Sequence, residues 1–117
     1  MKYVFLFCGT AADQEAFDAL SPEQRRERYA DVGRWFADNR ARLGPGNQLQ
    51  GPQTATTVQL RPDGPPVIKD GLFLEGKEIV GGYNEVDVAD LDEALAMART
   101  WPGHSGTIQI RPVVEAR

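Results

Sequence analysis

Lys2-Tyr3-Val4-Phe5-Leu6-Phe7-Cys8 decides the fold of this 117-residue chain. Read as a strand, it places Tyr3, Phe5 and Phe7 on one face and Val4, Leu6 and Cys8 on the other. Both faces are apolar, so both need cover. The apolar run from Tyr3 to Cys8 is far shorter than the roughly 20 residues that span a bilayer. Acidic residues follow at once (Asp13, Glu15, Asp18), so an export signal is not expected either.

Outward from this strand, residues 13–20 suit a short helical turn. Ser21-Pro22-Glu23-Gln24 then opens a long helix: Ser21 as N-cap, Pro22 at the first turn, Gln24 closing a capping box. Tyr29, Val32, Phe36 and Leu43 share one helical face, and Gly44-Pro45 is the expected stop. The arginines and carboxylates of the other face read as a solvated surface. A short strand is expected at Asn47–Gln50. Thr54–Arg61 and Pro65–Lys69 read as a hairpin around Asp63-Gly64, with prolines that suit an edge. Ile79–Val88 is the next strand, and its Gly81-Gly82 implies a bulge or a close backbone approach. Asp90 caps a second helix with its buried stripe at Leu91, Ala94, Leu95 and Ala98, and Trp101 near its end. Thr107–Val113 closes the chain of elements.

With the hairpin as an insertion, this order is the split βαβ, or ferredoxin-like, pattern: an α+β fold whose antiparallel sheet carries two helices on one face. The other face would then meet water, yet the first strand offers it Val4, Leu6 and Cys8. The simplest cover is a second copy, in a C2 homodimer.

Length allows one domain, residues 1–117. Thirteen basic against 17 acidic residues leave a net charge of −4, against direct nucleic-acid binding. One cysteine excludes an internal disulfide and suits a reducing cytoplasm, the expected location. One histidine, His104, excludes most zinc sites and any histidine-based triad that does not use it. Gly44-x-Gly46 lacks the third glycine of a dinucleotide fingerprint and follows a helix, so no cofactor and no metal is expected.

Asp70-Gly-Leu-Phe-Leu-Glu-Gly-Lys-Glu-Ile-Val-Gly-Gly-Tyr83 strongly resembles the DGPF signature of the YCII-related domain family, roughly DGPFAETKEQLGGF/Y. Asp70, Gly71, Phe73, Glu75, Lys77, Glu78, Gly81, Gly82 and Tyr83 match without a gap. Pro52 with Thr54–Val58, Val88–Leu95 and Gly106–Val113 resemble further stretches of the family. Leu72, Gly76 and Ile79 depart from the motif's proline, threonine and glutamine. The resemblance implies a dimeric α+β barrel. It also implies a functional link to sigma factors, beside which such proteins are often encoded. The histidine–aspartate chemistry proposed for the founding branch does not carry over, because the first helix here has no histidine.

Chemistry must then rest on carboxylate, tyrosine and arginine. Asp70 is the first candidate, as a general base or a ligand for an amine or hydroxyl; Asp-Gly is also an ordinary turn. Glu75, Lys77 and Glu78 follow in the same loop, where surface pairing is the bland alternative. Gly82 lets a bulky group approach, and Tyr83 offers a phenol, or packs as an interface aromatic. Alternation groups Tyr83 with Glu85 and Asp87, and Gln109 with Arg111. On the uncovered side of the sheet, Arg111 and Glu85 would line a polar cleft, or pair with each other. His104 is a loop histidine, most simply a surface one. The favoured function is binding of a small polar or aromatic molecule in a cleft between sheet and partner subunit, as an accessory or regulatory protein. The alternative is a lyase or isomerase of the dehydrohalogenating kind, with Asp70 as base and Tyr83 or Arg111 as electrophilic partner. A purely structural protein is the third reading, and whether the chain is an enzyme stays open.

Overall fold

Each helix begins where a side chain satisfies the free backbone N–H groups of its first turn. In the computed structural model, which describes residues 1–71 and 78–115, Thr10 and Asp13 form a reciprocal capping box that opens α1 (Ala11–Asp18). Ser21 and Gln24 do the same for α2 (Pro22–Asp38): the Ser21 hydroxyl accepts from the Gln24 N–H at 3.1 Å and the Gln24 amide oxygen from the Ser21 N–H at 2.9 Å. The Asp90 carboxylate accepts from the Glu93 N–H at 3.0 Å and opens α3 (Leu91–Arg99).

The strands are β1 (Lys2–Gly9), β2 (Leu43–Gln48), β3 (Thr56–Gln59), β4 (Val67–Asp70), β5 (Ile79–Asp87) and β6 (Thr107–Pro112). Four of them form an antiparallel sheet in the order β2-β5-β1-β6. This is the ferredoxin-like arrangement read from the sequence. Among the described residues β3 and β4 pair only with each other, as a separate hairpin inserted between β2 and β5.

Several boundaries differ from the sequence reading: the strand expected at Asn47–Gln50 runs Leu43–Gln48, the hairpin arms expected at Thr54–Arg61 and Pro65–Lys69 shorten to Thr56–Gln59 and Val67–Asp70, and two further differences concern the helices. The long helix does not reach Leu43; it ends at Asp38, a short 3₁₀ turn follows at Arg40–Arg42, and Leu43 already belongs to β2. Gly44 and Pro45 therefore lie within a strand. β2 is an edge of the sheet, where a proline's missing N–H costs no ladder bond. The second difference is α1, a full eight-residue helix rather than a turn. It docks on α2 through Phe17 and Tyr29, whose rings meet edge to face at 5.7 Å.

The core lies between the sheet and the helices. Tyr3, Phe5, Trp35, Val86, Val88, Ala94 and Met97 are buried, with Phe5 and Ala94 wholly so. Phe7, Phe36, Trp101, Ile108 and Ile110 pack against them. Trp35 and Met97, absent from the two expected helical stripes, are the most buried residues of their helices after Ala94. The Trp35 indole N–H donates to the Thr100 hydroxyl at 2.9 Å and the Met97 carbonyl at 3.3 Å, which ties α2 to the end of α3. Tyr29 and Leu91, expected in those stripes, are exposed.

Candidate functional site

The expected bulge is present. Phe7 pairs with Gly82 and Cys8 with Val80, leaving Gly81 as the extra residue of β5. Gly82 is buried, and a Cβ there would stand 3.1 Å from the Asn47 carbonyl oxygen of β2. The close backbone approach inferred from the paired glycines is therefore made to β2. Gly46, the neighbour of Asn84 in the ladder, is more constrained still: a Cβ would fall 2.1 Å from Asn84 Oδ1 and 2.5 Å from the Tyr83 carbonyl oxygen.

Three glycines (Gly46, Gly81 and Gly82) thus leave the sheet without side chains beneath α2. Above them stand large rings. Phe7 and Trp101 lie 4.5 Å apart by ring centre, and Trp101 meets Phe36 at 6.1 Å and Trp35 at 5.0 Å. The result is a cavity of about 400 Å³ walled by Phe7, Tyr29, Val32, Phe36 and Trp101. Asn47, Gln48, Asn84 and Ser105 supply polar groups at its border, and Tyr83 borders it from β5. Among the described residues of this lining none carries a charge at neutral pH. An aromatic-walled hollow with a few amide and hydroxyl groups suits a neutral, planar molecule.

The candidates from the sequence do not converge on one place. Gly82 borders this cavity; Tyr83 is in its border as well, but alternation turns the Tyr83 side chain to the open face of the sheet, where its phenol oxygen accepts from the Asn47 amide at 3.1 Å. Glu85 and Arg111 sit on that face too. Both are cross-strand neighbours of Val4, one from β5 and one from β6, so they share the face that the helices leave open. Neither side chain has a hydrogen-bond or ion-pair partner among the described residues, so the pairing within one chain is not made. Glu78 is engaged: its carboxylate accepts from the Thr107 hydroxyl at 2.8 Å, fastening β5 to β6 beyond the end of β1. Burial, with the Glu78 charge adding to it, pushes the Cys8 thiol up from its ordinary range, so Cys8 remains a protonated thiol at neutral pH.

Asp70 ends β4, opposite Thr56 in the detached hairpin, and is exposed. Gly71 after it takes a φ of +86°, the turn geometry that an Asp-Gly pair permits. His104 is exposed and borders a separate, shallower hollow with Arg99 and Thr107. Glu75 and Lys77 lie outside the described residues. The described His, Cys, Asp and Glu residues include no cluster able to hold a metal ion. No helix among the described residues is long and apolar enough to cross a membrane.

The match to known proteins covers this whole framework: residues 1–117 fit the YCII-related domain. The chain belongs to the YCII-related domain family. It is also 33% identical over 104 residues to an uncharacterized protein of Rhizobium meliloti strain 1021, a span of 86% of this chain and 75% of that protein.

What sequence reasoning missed is the cavity's aromatic wall. The sequence reading places Phe7 on a strand face, Phe36 on a helical face and Trp101 near a helix end, and all three border the core. The signal that could have found the hollow was the pairing of such rings with Gly46, Gly81 and Gly82, which remove the side chains that would fill the space below them.

Proposed function

We propose that this YCII-related protein binds a small, neutral, planar aromatic molecule in the cavity between α2 and the sheet, and that it works as a homodimer. The observation that carries this reading is the lining: four aromatic rings and Val32 over a glycine floor, with amide and hydroxyl groups at the border and no charged residue among those described. Such a surface gives apolar contact and orientation. None of its described lining residues is an aspartate, glutamate, histidine, lysine or arginine, which favours binding over the lyase reading. Asp70, the base of that alternative, stands on the hairpin and not among the described lining residues.

The homodimer is supported by strand β1. Val4, Leu6 and Cys8 face away from the helices and are only half-buried in a single chain. In this reading the partner covers the open face, and the ligand cavity lies on the other side of the sheet. The cleft expected between sheet and partner becomes an interface.

The test is thermal stability with indole and 2-naphthol as probes, on wild type, Val32→Trp and Asp70→Asn. Probe at 100 times its Kd should stabilise wild type by about 2.7 kcal/mol. Asp70→Asn should respond as wild type does. Val32→Trp fills the cavity and should lose the response while melting at a similar temperature. An equal response in Val32→Trp overturns the site, and probe conversion lost in Asp70→Asn restores the enzyme reading.

A further inference from the structure

Among the described residues the buried polar ones are two asparagines, Asn39 and Asn84. Asn39 has partners at both ends of its amide: the nitrogen donates to the Trp35 carbonyl at 2.8 Å and the oxygen accepts from Arg42. Asn84, only 6% exposed, has partners at one end. Its nitrogen donates to the Gly44 carbonyl at 3.1 Å and the Glu85 carbonyl at 2.8 Å, while its Oδ1 accepts no bond among the described residues. The neighbours fix this orientation, because only the NH2 end of an amide can face two carbonyl oxygens.

The free oxygen lies over Gly46, where any side chain would collide with it. Gly46 and Asn84 are partners in the ladder, and Asn84 also pairs with the buried Phe5, so its side chain is on the helical side of the sheet. Both residues line the aromatic cavity. No wholly enclosed side-chain oxygen or nitrogen among the described residues lacks a partner. The unmatched Oδ1 is therefore reached from open space, and the space that Asn84 and Gly46 border is the cavity. The other amide and hydroxyl side chains of the lining, on Asn47, Gln48, Tyr83 and Ser105, are exposed, where water competes for them.

We propose that Asn84 Oδ1 reads a hydrogen-bond donor on the ligand, so that the cavity takes aromatic molecules bearing a ring N–H or a hydroxyl and rejects isosteres with an ether oxygen or a carbon in that place. This role, which rests on the cavity binding an aromatic molecule at all, narrows the ligand class. A buried acceptor without a donor costs free energy, and a ligand that supplies the donor recovers it. A ligand with a lone pair at that point sets two acceptors together. Sites that hydrogen-bond an N–H or O–H reject analogues lacking it more strongly than apolar walls discriminate by size. Gly46 belongs to the same device, since the missing side chain leaves the oxygen uncovered.

The test is the dissociation constant of the full chain for indole, benzofuran and indene, three probes of one size of which only indole carries an N–H. Wild type should bind indole about tenfold or more tightly than either of the others. Asn84→Leu keeps the size of the side chain and lacks the acceptor, and its preference should fall below about threefold. In wild type, isotope-labelled indole should show a nuclear Overhauser contact from its N–H proton to the Gly46 α protons, a readout that needs no variant to fold. Equal affinities for the three probes in wild type, an N–H contact to Ser105 or Gln48 in place of Gly46, or an undiminished preference in folded Asn84→Leu overturns the role of Asn84 and leaves the cavity standing. No binding of any probe at millimolar concentration, or binding that persists in Val32→Trp, overturns the cavity and this role with it.

Discussion

Gly46 has no room for a side chain, and the reason is Asn84. That amide is buried, donates to the Gly44 carbonyl at 3.1 Å and to the Glu85 carbonyl at 2.8 Å, and holds its oxygen where a Cβ of residue 46 would sit. Gly46→Ala should cost about 1–3 kcal/mol, the range for overpacking a filled site, read as a lower urea midpoint with unchanged slope. Asp13 makes a prediction of a different kind. The Thr10 N–H first, then the Ser105 and Thr10 hydroxyls, hold its carboxyl below the usual carboxylate range. A depressed folded pKa stabilises the native state above the unfolded value of about 3.9, and the contribution is lost as pH falls through the folded value. The stability gap between wild type and Asp13→Asn should therefore stay constant from pH 5 to 8 and close below about pH 4 in urea titrations. A gap that widens in acid would contradict the assignment. Residue-level legibility was uneven for a physical reason. Capping residues act on their own turn, so Ser21, Gln24 and Asp90 were readable. Gly46 answers to a side chain 38 positions away, and nothing local announces that.

At the scale of elements, α2 is held to α3 by Trp35. The indole is buried and its N–H is shared between Thr100 and Met97. Trp35→Phe removes both bonds and part of the packing, and should cost about 2–3 kcal/mol. Thermal unfolding measures it, and no loss at all would mean that α3 is held by its apolar face alone. The strands and the bulge at Gly81 were legible because alternation and paired glycines are local patterns. The end of α2 was not. Leu43 continues the helical spacing of Tyr29, Val32 and Phe36, and Gly44-Pro45 is as good a helix stop as it is an edge-strand segment. Only pairing with β5, far along the chain, decides between them. Likewise Trp35 lies off the helical stripe of Tyr29, Val32 and Phe36, because α2 packs against the end of α3 as well as the sheet.

At the scale of the whole molecule, the chain exposes more surface than its mass requires. A compact 12.9 kDa protein exposes about 6300 Å², and this one exposes 8815 Å². Its radius of gyration is 16.6 Å against about 13 Å for a compact chain of this length. The hairpin contributes: Val58 and Ile68 are cross-strand partners, and both are exposed, as is Leu60. The difference exceeds the roughly 800 Å² that each partner buries in an ordinary interface, so the proposed homodimer has surface enough to form. The cavity was beyond the reach of the sequence, because five segments distant in sequence build it, and alternation tells which way a side chain points without telling what stands above it.

That cavity is the centre of the account, and amide and indole chemical shifts during titration with indole test it most directly. The account predicts saturable shifts at Gly81, Gly82 and the Trp101 indole N–H, with Glu85 and Arg111 little moved. Shifts centred on Glu85 and Arg111, or none at Gly82 and Trp101 at millimolar probe, would contradict it.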